Sequence, residues 1–183
     1  MARLTAARRH LLSCALALGT LLTAGCTGPE TPSPKTSSAP PVMQAPAPLA
    51  ESLTKYQGLR AELITALEQK LPGISWTVNE PAYLTKLKDG SCILGTETMV
   101  SSADVVEPSH RFADIFSVGD PILAKHGFEA FGGTDPVPGG WVVARSSDAA
   151  GAIVTIESKS PAYLYITAPV HSETCDPAEL PQG

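Results

Sequence analysis

The sequence predicts an α+β fold: a two-layer sandwich, with two main helices on one face of an antiparallel sheet of about five to six strands. Three observations predict it. Apolar residues recur at spacings of three and four over 49–71 and again over 112–126, which is helical periodicity. After Gly127 the period changes to two, the mark of strands. Strands that follow helices in runs, rather than alternating with them one by one, favour helices covering one face of an antiparallel sheet, here in the order α-β-β-α-β-β-β-β.

The first helix is carried by Leu49, Leu53, Tyr56, Leu59, Leu63, Leu67 and Leu71 on one face. Glu51 and Glu62 lie toward its start and Lys70 at its end, the polarity that the helix dipole favours, and Pro72-Gly73 stops it. Ile74–Asn79 alternates Ile74, Trp76 and Val78 against polar residues, a half-buried strand. Lys88-Asp89-Gly90 is a turn. Cys92–Val100 reads as a second strand with imperfect alternation.

The second helical pattern uses Phe112, Ile115, Phe116, Ile122, Leu123 and His126, with Ser109 as its expected N-cap. Asp120-Pro121 fits an N-cap followed by proline at the first helical position, so the segment is either two short helices or one kinked helix. Lys125-His126-Gly127 is a helix ending. Phe128–Phe131, Trp141–Arg145, Ala152–Ser158 and Ala162–Val170 follow as strands, separated by 132–140, 146–151 and Ser160-Pro161.

Residues 1–25 predict a lipoprotein signal peptide. Arg3, Arg8 and Arg9 precede the apolar run Leu11–Leu22, and no acid occurs before Glu30. A spanning helix needs about 20 apolar residues and a signal h-region about 7–15. Thr23-Ala24-Gly25-Cys26 reads as the cleavage box, with Cys26 the lipidated residue, carrying diacylglycerol and palmitate at the outer face of the cytoplasmic membrane. Two or three acyl chains anchor stably where one is marginal, since each buried CH₂ contributes about 0.8 kcal/mol. Residues 26–48 form a Pro/Ser/Thr-rich tether, with Pro29, Pro32, Pro34, Pro40, Pro41, Pro46 and Pro48 unable to build a core. In polyproline II it would reach roughly 70 Å at about 3.1 Å per residue. Residues 49–175 are then one α+β domain and 176–183 a flexible tail.

Cleavage removes three arginines and no acid, so the net charge of −5 becomes −8. That balance disfavours nucleic acid and anionic lipid surfaces as partners. Of four cysteines, Cys14 leaves with the signal and Cys26 is acylated, leaving Cys92 and Cys175 as a single pair in an oxidising compartment. They are expected to form a disulfide. A metal or redox pair has neither a CxxC spacing nor a nearby histidine cluster behind it.

Several short features occur together in order: the lipobox and tether, a helix ending in Leu71-Pro72-Gly73-Ile74-Ser75-Trp76, one Cys, a helix ending in Lys125-His126-Gly127, then strands and a second Cys. This arrangement resembles the LppA-like family of small bacterial cell-envelope lipoproteins over most of residues 49–175. Pro121 departs from the uninterrupted helix that the resemblance implies. The resemblance implies anchoring and the Cys92/Cys175 pair, and brings no catalytic residue, substrate or cofactor.

The residues themselves point away from an enzyme. No two of His110, His126 and His171 have i,i+4 spacing, and none lies in a metal-ligand motif, so no metal or other cofactor is expected. GxSxG and Walker patterns are missing, and Ser91 beside Cys92 has no evident base. The glycine-rich stretch 132–140 lacks a lysine and reads as a hairpin loop rather than a phosphate cradle. Trp76 and Trp141 could line a ligand site, but each lies in an alternating apolar pattern that favours core packing. Glu97, Asp104, Glu107 and Asp114 lack the EF-hand spacing and read as a solvated acidic run. The expectation is a membrane-anchored lipoprotein displaying a non-catalytic binding domain for an envelope protein or other ligand. The alternative is a carrier holding an apolar molecule between helices and sheet.

Overall fold

A computed structural model describes residues 45–181. The signal peptide, Cys26 and the tether as far as residue 44 lie outside the described residues, as do 182 and 183. The α+β expectation holds: the described residues form two helices and an antiparallel sheet of eight strand segments, more than the five to six expected. Among the described residues, no helix is long and apolar enough to cross a membrane.

Helix α1 (Leu49–Lys70) turns Leu49, Ser52, Leu53, Tyr56, Leu59, Leu63 and Leu67 inward. Leu59, Leu63 and Leu67 are 0–1 % exposed, and burial of each stabilises the fold by about 1.5–3 kcal/mol. The helix stops at Leu71, and Gly73 takes the positive φ of the following turn.

Strands β1 (Trp76–Glu80) and β2 (Tyr83–Lys86) lie along one line, interrupted at Pro81-Ala82, and β3 (Cys92–Gly95) and β4 (Thr98–Ser101) lie along the next. Both β3 and β4 pair with one edge of β8 (Ala162–Val170). Cys92 opposes Val170, but Met99 opposes Leu164, one residue out of step, so Thr96-Glu97 is a bulge. Burial changes phase there: Cys92, Leu94 and Thr96 are buried before it, Met99 and Ser101 after it. This bulge is the cause of the imperfect alternation in 92–100.

Helix α2 (Ala113–Lys125) is a single helix with Pro121 inside it. Ser109 is not its N-cap. His110, Arg111 and Phe112 take positive φ, and the Ser109 hydroxyl accepts a hydrogen bond from the Phe112 amide at 2.9 Å, closing a turn before the helix starts. Asp120 caps nothing within the helix; its carboxylate accepts from the Phe131 amide at 3.1 Å and ties down the chain beyond α2. The 128–131 segment is therefore not a strand: only Phe128 makes a bridge, to Asp148. A Cβ on Gly119 would come within 3.0 Å of the Phe131 ring, so glycine allows that ring to seat on the helix.

Strands β5 (Asp135–Val137), β6 (Trp141–Ser147), β7 (Ile153–Ser158) and β8 form a meander, and the spatial order is β1-β4-β8-β7-β6-β5. The β6–β7 turn is held by Asp148, whose side chain is 4 % exposed. Its carboxylate accepts from the Ala150 and Ala152 amides at 2.9 Å, Lys55 Nζ at 3.1 Å and the Tyr56 hydroxyl at 3.4 Å. Burial, and then the Asp148 charge, push the Tyr56 phenol well above its usual range.

The inner face of the sheet joins α1 and α2 in one continuous core, with Leu94, Val154, Ile156, Leu164 and Ile166 all 0 % exposed. At the entry to the domain, the end of the expected tether is already folded in. Pro48 bridges His171, and the Ala47 carbonyl accepts from the His171 amide at 2.8 Å. At the other end, 176–181 is no frayed tail: Pro177–Glu179 is a capped 3₁₀ turn and Leu180 is buried.

Candidate functional site

Directly opposed residues in an antiparallel sheet share a face, so the strand registers identify what the face away from the helices carries. One row runs Thr77-Val100-Tyr163-Glu157-Val143-Asp135 across six strands. The neighbouring rows contain Glu80-Thr98, Tyr165-Thr155-Arg145 and Tyr83-Gly95-Thr167-Ile153. Aromatic rings therefore converge on an uncovered face from strands far apart in the chain.

Asn79, Glu80, Tyr83, Thr98, Glu157, Tyr163 and Tyr165 line a depression of about 400 Å³ on this face. Tyr83 is 42 % exposed, and Tyr163, Tyr165, Thr98 and Glu157 are half-buried. The Tyr83 ring lies directly over Gly95, where a Cβ would sit 2.2 Å from the ring. Trp141 extends the aromatic surface, its ring 6.0 Å from that of Tyr163. Tyr165 donates its hydroxyl to Glu157 at 3.4 Å; burial, followed by the Glu157 charge, raises its pKa. Neither Glu80 nor Glu157 forms an ion pair among the described residues.

The residues singled out from the sequence fall elsewhere, with one exception. Trp76 is 7 % exposed in the core as expected, and its indole N–H is buried without an acceptor among the described residues. Trp141 is not core: it is half-buried on the open face beside Tyr163. Cys92 and Cys175 lie at disulfide distance, Cα to Cα 5.7 Å. His110 Nδ1 contacts Asp114 at 2.6 Å, His126 Nε2 lies 3.3 Å from a Glu62 oxygen, and His171 serves through its backbone.

The four acids of the expected acidic run disperse. Glu97 pairs with Arg60, Asp104 accepts from the Ser158 hydroxyl at 2.9 Å, and Asp114 pairs with Lys70 at 3.0 Å. Glu107 is exposed. Among the described residues, no three His, Cys, Asp or Glu side chains are grouped to hold a metal. The Ser91 hydroxyl donates to Asp89 at 2.6 Å within its turn, and the stretch 132–140 contains the short strand β5 before turning into β6.

Sequence reasoning missed the tyrosine and glutamate depression, because its residues meet only through sheet register. The one available signal was the alternation in 162–170, which sets Tyr163 and Tyr165 opposite to the core residues Leu164 and Ile166. Comparisons with protein-family models, with curated proteins and with solved structures found no match.

Proposed function

We propose that this chain is a lipid-anchored cell-envelope protein that displays a non-catalytic binding domain, with the open sheet face as its binding surface. The observation that carries this reading is the convergence of Trp141, Tyr83, Tyr163 and Tyr165 around an uncovered depression. Aromatic side chains are enriched where proteins bind partners, because they offer large rigid contact area with a polar handle. Placement at the envelope rests on the Arg-led apolar run, the Thr23–Cys26 box and the resemblance to LppA-like lipoproteins. The carrier alternative needs space between helices and sheet. That region is filled by Leu59, Leu63, Leu123, Ile156 and Leu164, each 0–1 % exposed, so the open face is the better supported site.

The test is site-directed photocrosslinking in an envelope preparation. A photoreactive phenylalanine analogue replaces Thr98 at the centre of the face, or Thr65 on the exposed side of α1 as a control. Discrete adducts from position 98 and none from 65 are expected. Equal labelling from both positions, or none from 98, removes the face from consideration. In the same preparations, Cys26→Ala should move the chain from the detergent phase to the aqueous phase, and retention in detergent would sink the anchor.

A further inference from the structure

The charges on the open face narrow the kind of ligand it can take. Lys55, Arg60, Lys70, Lys125 and Arg145 are engaged with Asp148, Glu97, Asp114, Glu62 and Asp135, respectively. Among the described residues, Glu80 and Glu157, at the depression, are engaged by no cation, although Arg145 stands one row away, 3.9 Å from Asp135. The depression thus sets two carboxylates among three tyrosine rings.

Both kinds of group attract the same thing. An aromatic face is the negative part of a quadrupole and draws a cation. A carboxylate forms charge-assisted hydrogen bonds roughly twice as strong as neutral ones. A neutral sugar could stack on the rings but would leave the carboxylate charge unused. An ammonium ion would use that charge but is compact and strongly hydrated. A guanidinium uses both features, since it is planar, stacks on aromatic rings and presents a fork that matches a carboxylate. The face is broad as well as deep enough for a side chain: Thr77, Val100 and Trp141 continue beyond the depression and give room for flanking residues. The expected mature charge of −8 would steer a basic segment toward it.

Resting on the reading of this face as the binding surface, we propose that the depression takes an arginine side chain of a basic peptide segment, the guanidinium lying over the tyrosine rings and pairing with Glu80 and Glu157.

The tyrosines supply their own reporters, since the chain has four and the fourth, Tyr56, is 4 % exposed in the core. The full chain, labelled with ¹³C in its tyrosine rings, is titrated with a tri-arginine peptide and separately with chitotriose. The ring signals of Tyr83, Tyr163 and Tyr165 should move with tri-arginine while that of Tyr56 stays. The double variant Glu80→Gln/Glu157→Gln should weaken binding by about tenfold or more, and a Glu173→Gln control, altering an exposed acid elsewhere, should not. Raising the salt concentration should weaken binding as well. The inference is overturned if tri-arginine moves none of the three, or if the double variant binds it as well as the parent does. Movement with chitotriose alone overturns it too, replacing the cation by a neutral glycan while leaving the binding face in place.

Discussion

Gly95 sets the shape of the open face more than any residue with a side chain does. It stands opposite Tyr83 in the register, and the ring lies flat across the space a Cβ would fill, 2.2 Å from Cε1 and 2.3 Å from Cζ. Glycine inside a strand weakens it unless something must approach closely, and here the close approach is that ring. The Gly95→Ala variant should still fold, because the clashing atoms are the far end of an exposed side chain that can swing outward. A loss of about 1 kcal/mol is expected by urea denaturation, of the order of an off-rotamer side chain. The Tyr83 ring signal should move markedly, and tri-arginine should bind more weakly. An unmoved Tyr83 signal would mean that the ring does not rest on the glycine. None of this was legible in the sequence, where Gly95 was one interruption in a strand of uneven alternation. Trp141 misled for a related reason: an alternating pattern shows which residues share a face but not which face the helices cover.

The terminal 3₁₀ turn shows the same at the level of an element. Asp176-Pro177-Ala178-Glu179 carries an acid at the N-cap, proline at the first helical position and glutamate three residues after the cap, which is a capping-box pattern. That signal is present in the sequence, in a segment expected to be a flexible tail. Glu179 gathers the segment: its carboxylate accepts from the Ser172 hydroxyl at 2.8 Å, from the Thr174 hydroxyl, and from the Thr174 and Asp176 amides at 3.2 Å. Those donors, the Thr174 hydroxyl first, hold its pKa down at about 2, against an ordinary glutamate near 4.3. A carboxylate whose folded pKa is depressed contributes stability above its unfolded pKa and loses it as pH falls through the folded value. The latch is therefore expected to be intact at neutral pH and to weaken between about pH 4 and pH 2. Amide exchange of Cys175, Asp176 and Ala178 checks this, and Glu179→Gln should raise exchange at neutral pH. Protection that is insensitive to both would remove the latch. By contrast, α1 was legible almost residue for residue, because a long amphipathic period leaves one reading. Strands β2 and β5 were not: each is three or four residues long and has a proline beside or within it, so neither repeats its alternation often enough to stand out.

For the molecule as a whole, the α+β class followed from the order of periods along the chain, while the strand count differed because the Thr96-Glu97 bulge divides 92–100 into β3 and β4, β2 adds a strand beyond Pro81, and β5 stands in place of the strand expected at 128–131. The open face was invisible at this scale, since Glu80 on β1 and Glu157 on β7 line one depression only through a sheet order and register that no local pattern encodes. Proline occurs at both outer margins of that sheet, Pro81 between β1 and β2 and Pro136 within β5, which discourages pairing by another strand at either edge. What closes the architecture is the Cys92–Cys175 link. It joins the strand that begins the return of the first hairpin to the chain just beyond β8, 83 residues apart, enclosing α2 and the whole meander. Cys92 already opposes Val170 in the sheet, so the native contacts there do not depend on the bond. Its contribution lies in restricting the unfolded chain, about 4–5 kcal/mol for a loop of this length in the chain-entropy account. The Cys92→Ala/Cys175→Ala variant should therefore keep the tyrosine ring signals of the parent while its urea midpoint falls by an amount corresponding to that loss. A midpoint within about 1 kcal/mol of the parent would show that the unlinked chain is already restricted to the same degree. Displaced tyrosine signals would show instead that the bond holds native geometry, and that the sheet alone does not set the open face.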